Sequence, residues 1–463
     1  MTSEHGTPTP AAGPEPTGCP VGHPAGGGGT AGGASDPRRA SRRRFLGGAA
    51  LTAAGAAAGV AASTALRGPS PVATAAPLTL ADLDALRAQA TVPFYGEHQA
   101  GITTAQQDRL MFASFDLVTG DPVAVAHLLG TWAAMAARFT AGQPVRSGDV
   151  RPEQPPPDTG EASDLGPYSL TVTVGFGPGM FDERFGLAAK MPAALRPLDQ
   201  LPGDSVLRPE ISGGDLCVQA CADDPQVVFH AIRNFARAAR GVATMRWSQL
   251  GFGRASSTGA GQSTPRNLFG FKDGTNNIHA DDTAATAAHV WVDASTDQPW
   301  MVGGSYLVAR KIRMEIQSWD AAPLADQERT FGRVKTTGAP LSGGTEFTPL
   351  DLAAVAGTGS GPAIDVAAHA RLASPEENGG VRMLRRGYNY TDGQDSRTGL
   401  LDAGLFFICF QRDAHEQFSV VQTRLGSSDL MNEYVAHVSS ALFAVPPGLT
   451  GPGDWYGKAL FDL

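Results

Sequence analysis

Between Arg109 and Gly253 the chain switches repeatedly between two incompatible hydrophobic periods, and this constrains the fold more than any single residue does. RLMFASFDLVT (109–119), YSLTVTVGFG (168–177), GDLCVQACADD (214–224) and ATMRWSQLGFG (243–253) read as strands. DPVAVAHLLGTWAAMAARFTAG (121–142) and PQVVFHAIRNFARAARG (225–241) carry apolar residues at helical spacing instead. Asp121 opens the first helix and Gly142 stops it; Pro225 opens the second and Gly241 ends it. The order is β-α-β-β-α-β, the split βαβ or ferredoxin-like plan.

The remaining chain repeats that order without repeating the sequence. GSYLVARKIRME (304–315), VRMLRRGYNY (381–390), GLFFICFQRD (404–413) and SALFAVPPG (440–448) read as strands. SWDAAPLADQERTFGRV (318–334) and HEQFSVVQTRLGSSDLMNEYV (415–435) read as helices, the second with a break. A loop-rich insertion fills roughly 335–380, and long insertions without periodicity usually carry function. The expected fold class is α+β, with ferredoxin-like units over 76–300 and 301–463 behind a leader over 1–75.

The leader reads as an address. Residues 1–40 are rich in Pro, Gly and Thr, a composition that does not fold. Ser41, Arg42, Arg43, Arg44, Phe45 and Leu46 then form a twin-arginine pattern. An Ala/Gly run follows and ends in small-residue sites such as Ala73-Thr74-Ala75. The expectation is export by the twin-arginine route, which carries folded proteins, often with a cofactor already inserted. No later stretch reaches the ~20 apolar residues of a spanning helix. With a net charge of −9 the chain lacks the basic footprint of a nucleic-acid binder.

Cysteine offers little chemistry. Cys217 and Cys221 lie four apart on one strand, roughly 13 Å, too far for a disulfide. Cys19, in GCPVGHP, reads as an incidental leader residue. The chain has no H-E-x-x-H, C-x-x-C, G-x-S-x-G or C-x-x-C-H pattern, which excludes covalent c-type haem. What stands out is polar. Asp273 sits among glycines in GFKDGTNN (270–277), where it serves either as turn chemistry or as a carboxylate set against a ligand. His369 lies in the insertion. Arg385 and Arg386 enter an apolar strand, where alternation sends them to opposite faces. One is then solvated and the other buried, at high cost unless it meets an anion such as Asp273 or a bound ligand.

In this order the residues resemble the dye-decolourising peroxidases, and most closely their exported, deferrochelatase-like group. The resemblance covers nearly the whole chain after the leader. It rests on PFYGEHQAGI (93–102), NLFGFKDGTNN (267–277), GGSYLVARKIRM (303–314), HARLASP (369–375), MLRRGYNY (383–390) and GLFFICFQRD (404–413). It implies two ferredoxin-like units in a dimeric α+β barrel-type fold, with one non-covalent haem b in the C-terminal half. It implies His369 as the iron ligand, Asp273 and Arg385 as catalytic groups, and Asp413 as hydrogen-bond partner of the His369 imidazole. Arg386 is the rival for Arg385. Leu405 and Phe407 are expected to wall the haem pocket, and Gly270, Gly274 and Thr275 to lie against the porphyrin.

The implied activity is oxidation of dyes, phenols and other one-electron donors by hydrogen peroxide through a ferryl intermediate. Tyr388 and Tyr390 are candidate electron relays to the surface. The implied alternative is haem or iron handling in the service of iron uptake. A third reading, from the residues alone, is a secreted binding protein with no redox role. A homo-oligomer is a further expectation from the resemblance.

Overall fold

The computed structural model describes residues 79–146, 151–259, 261–357 and 359–461. The twin-arginine motif and Cys19 lie outside these residues. From Ala76 onward the chain forms one compact unit.

Its first half contains α1 (Leu80–Gln89), β1 (Arg109–Leu117), α2 (Pro122–Phe139), β2 (Thr171–Phe176), β3 (Leu216–Ala222), α3 (Pro225–Ala238) and β4 (Ala243–Arg254). The helix starts follow from their caps. The Asp121 carboxylate accepts from Val123 N at 2.9 Å and Asp224 accepts from Gln226 N at 2.7 Å, each just before a proline that has no N–H to satisfy. The strands lie in the order β4-β1-β3-β2, all antiparallel.

The second half contains α4 (Thr283–His289), β5 (Ser305–Met314), α5 (Ile316–Ala321), α6 (Leu324–Phe331), α7 (His369–Leu372), β6 (Leu384–Arg385), β7 (Tyr388–Gln394), β8 (Leu401–Gln411), α8 (Phe418–Ser428), β9 (Val435–His437) and β10 (Ala441–Val445). β6 and β7 are one interrupted strand, because both pair with β8 in a single register: Leu384 faces Phe410 and Tyr388 faces Phe406. The order β10-β5-β8-β7 therefore repeats the order of the first half. β4 pairs with β7 and β10 with β2, so the two sheets close into a barrel.

Strand alternation gives this barrel two apolar faces. Leu110, Phe112, Leu307, Tyr388, Phe406 and Phe443 belong to the cluster inside it. Met111, Phe115, Tyr306 and Val308 belong to the cluster that includes Trp132 of α2 and Phe235 of α3.

Two expected helices differ in extent. The one over 318–334 is split into α5 and α6, because Pro323 cannot continue a helix and Ala322 before it is extended (ψ 138°). The one over 415–435 ends at Ser428, where Asp429 starts a separate 3₁₀ turn over Leu430–Glu433. Among its described residues the insertion carries no helix or strand except the single turn α7, in which His369 is the first residue.

Candidate active site

A cavity of about 450 Å³ lies against one face of β5 and β8. Ile312, Met314, Leu405 and Phe407 form its sheet wall; Phe331, Val421, Leu425 and Met431 are among the apolar residues of its other walls. Asp273, Arg385 and His369, from three separated segments, all line it.

The loop that carries Asp273 is folded by its own polar side chains. Asn267 Oδ1 accepts from Phe269 N at 3.1 Å, and Asn267 Nδ2 donates to Asp273 Oδ2 at 3.2 Å. Arg385 NH1 donates to Asp273 Oδ1 at 2.8 Å, leaving the carboxylate held from both sides. Asn277 fastens this loop to β6. Its Oδ1 accepts from Arg385 N at 2.8 Å, and its Nδ2 donates to Arg385 O at 2.7 Å and Ser257 O at 2.9 Å. Asn277 is a positioning residue that sequence reasoning missed, although it stands inside the motif already singled out. The signal would have been an amide at the last position of the Gly274–Asn277 turn.

The two glycines of the motif differ. Gly274 (φ +101°) lines the cavity, and an added Cβ would come within 3.0 Å of the Ser256 backbone, so only glycine fits. Gly270 (φ +81°) does not line the cavity. It donates to Asn267 O at 2.9 Å and faces Lys335, which corrects its expected place against a porphyrin. Thr275 lines the cavity and donates to Glu346 Oε1 at 3.3 Å; Glu346 also pairs with Lys272.

His369 Nδ1 bonds Asp429 Oδ2 at 2.6 Å. This replaces the expected partner, Asp413. Asp413 lies just beyond the end of β8 and accepts from His415 N at 2.7 Å and Glu416 N at 3.2 Å, capping the turn that follows. Asp429 is better placed because Leu430 N donates to Ala367 O at 3.1 Å, tying its turn to the start of α7. Asp429 Oδ1 is taken by Met431 N at 2.9 Å, so Oδ2 is the oxygen left for the imidazole. Burial alone disfavours a charged imidazole at His369. The Asp429 carboxylate more than offsets this, and the pKa is raised. With Nδ1–H donating to Asp429, Nε2 carries the free lone pair.

The arginine pair divides differently from expectation. Arg386 is wholly buried, yet among the described residues it meets no carboxylate: NH1 bonds Thr104 O and Thr258 Oγ1, and NH2 bonds Gln107 Oε1. Neutral oxygens inside the barrel take these two nitrogens and leave Nε without a partner among the described residues. Arg385, partly exposed to the cavity, has the carboxylate. Tyr388 and Tyr390 are fully buried on the barrel side of β7, the face opposite to that of Arg385. Tyr390 donates to Asp402 at 3.0 Å.

The family model described as Dyp-type peroxidase, N-terminal, matches residues 99–253, and the C-terminal one matches 264–450. A protein named deferrochelatase from Escherichia coli O157:H7 is 38% identical over 409 residues, covering 86% of this chain and 94% of that one. A DyP-type peroxidase from Streptomyces coelicolor has the same fold (TM-score 0.74, 40% identity), covering 82% of this chain and 99% of that one. Ferric DtpA from Streptomyces lividans is as similar (TM-score 0.73, 40% identity, 81% and 98% covered). Paired family models in the expected order, a near full-length relative and a shared fold lead to one conclusion: the chain belongs to the Dyp-type peroxidase family.

Proposed function

We propose that the cavity seats one b-type haem without a covalent bond, that His369 Nε2 would hold its iron, and that Asp273 and Arg385 are the groups that handle hydrogen peroxide. The enzyme class follows from the family, a haem peroxidase. The observation that carries the residue roles is that a carboxylate–arginine pair and a carboxylate-held imidazole share one largely apolar cavity. The donor set fits the group. One imidazole nitrogen is free and the walls suit a flat apolar ring.

Bound haem supplies the iron that takes up peroxide and stores its oxidising equivalents. The chain does the rest. Asp273 would take a proton from one peroxide oxygen and return it to the other, so that bound haem, supplying the two electrons and keeping the remaining oxygen atom, would allow release of water. Arg385 balances the negative charge that develops on peroxide, as a cation held in place before the reaction. Asn277 and Asn267 keep these two groups in register. Asp429 gives the His369 ring anionic character, which raises its strength as a ligand. Donors for the reaction are dyes, phenols and other one-electron reductants.

The test is an absorption spectrum of the haem-loaded protein before and after one equivalent of peroxide, with His369→Ala as control. A haem band in the wild type that survives unchanged in His369→Ala would overturn the ligand assignment. The deferrochelatase relatives support a second reading, iron release from haem in the same cavity. It requires free iron and protoporphyrin after turnover; intact haem with oxidised donor rejects it. The S-R-R-R-F-L pattern followed by an Ala/Gly run supports twin-arginine export. Arg42→Lys/Arg43→Lys is then expected to keep the protein in the cytoplasm.

A further inference from the structure

The sheet wall of the cavity holds a second polar cluster that peroxide chemistry does not use. Arg310 of β5 is wholly buried. Its NH2 bonds Asp204 Oδ1, and its guanidinium stands 5.5 Å from the Phe418 ring centre. Its Nε and NH1 have no partner among the described residues. His437 of β9 faces Ile312 in register, two residues beyond Arg310, so both side chains share one face of the sheet. His437 is 8% exposed and its Nδ1 is also unpartnered. Both residues line the cavity.

Buried polar atoms left without partners are costly, and two such residues on adjacent strands lining one cavity make a built site. We propose that Arg310 and His437 form a recess that binds a single carboxylate. An arginine offers only donors, so its occupant must accept. Asp204 does not satisfy them: its Oδ1 is on Arg310 NH2, its Oδ2 accepts from Leu201 N at 3.1 Å, and neither oxygen is bonded to Nε or NH1. One guanidinium already shared with Asp204 does not balance a dianion such as phosphate, but it tolerates one carboxylate beside a neutral imidazole. Both residues line a cavity with largely apolar walls, so the carboxylate is borne on an apolar body. Two sources share this chemistry: a propionate of the haem itself, and a free aromatic acid that enters as donor or effector.

This inference rests on the haem reading above, and the experiment separates the two. The full chain is freed of haem and titrated with iron protoporphyrin IX and with its dimethyl ester. The wild type is compared with His437→Phe and with Asp204→Asn/Arg310→Gln, which removes both buried charges together. One-to-one binding by the wild type establishes the haem reading first. If a propionate occupies the recess, affinity for the diacid falls at least tenfold in the variants, while affinity for the ester stays constant across all three proteins. If a free acid occupies it, both haem affinities are unchanged. Calorimetry of the holoprotein with benzoate then shows saturable one-site binding that the variants lose. Variants that match the wild type in both measurements overturn the proposal and leave an ordered water in the recess. Should the double variant not fold, His437→Phe decides alone, since it fills a similar volume without a polar atom.

Discussion

Replacing Asp429 by Asn tests the most specific feature of the site. The carboxylate is buried (side chain 3% exposed) and accepts twice, from His369 Nδ1 at 2.6 Å and from Met431 N at 2.9 Å. An amide can accept with only one of its two ends. If its oxygen stays on Met431 N, its NH₂ meets the His369 N–H. The ring then turns, or moves its proton to Nε2, the nitrogen that must stay free to coordinate. If the amide flips, the cap of the 430–433 turn is lost instead. Either way one charge-assisted bond disappears, worth about 1.5–3 kcal/mol. At 1.4 kcal/mol per factor of ten, haem affinity falls about 10- to 100-fold, the range found for such supporting groups. The assay is haem titration followed at the Soret band, with Asp413→Asn beside it. Among the described residues the Asp413 carboxylate bonds only backbone N–H groups of its own turn, so its variant binds haem like the wild type. Wild-type affinity in Asp429→Asn, or the loss appearing in Asp413→Asn, refutes the reasoning.

Four further outcomes are expected. Arg385→Leu slows the reaction with peroxide by about 100-fold or more in stopped-flow absorbance, the usual loss of a fixed charge-stabilising donor. Asp273→Asn slows it too, with less effect on haem affinity than His369→Ala. Asn277→Ala removes three hydrogen bonds of 2.7–2.9 Å and orphans the Arg385 backbone, costing on the order of 3 kcal/mol in denaturant unfolding. Asp395 is held at about 2 by the Arg208 hydrogen bond, with Arg313 adding to it. A depressed carboxylate stabilises above its unfolded pKa and loses that contribution as pH falls toward 2. Asp395→Asn is therefore about 2 kcal/mol less stable at pH 7, and the gap to the wild type closes between pH 4 and 2. A gap that stays constant down to pH 2 contradicts this.

The sequence by itself determined the strands, the helix starts and the order of both halves. Period and caps are local: Asp121 and Asp224 act on N–H groups two residues away, and no distant contact is needed to read them. The residues lining the site were legible for the same reason where a motif fixed them, as with Asp273, Gly274, His369, Leu405 and Phe407. What the tertiary structure decided was pairing. The choice between Asp413 and Asp429 depends on which turn packs beside α7, a contact 60 residues distant along the chain. Arg385 rather than Arg386 faces the cavity because the strand enters the barrel in a register set by β8. Arg310 and His437 lie 127 positions apart and meet only because β9 pairs with the far end of β5. Residue spacing encodes which face a side chain takes; only closure of the sheet determines what stands across from it.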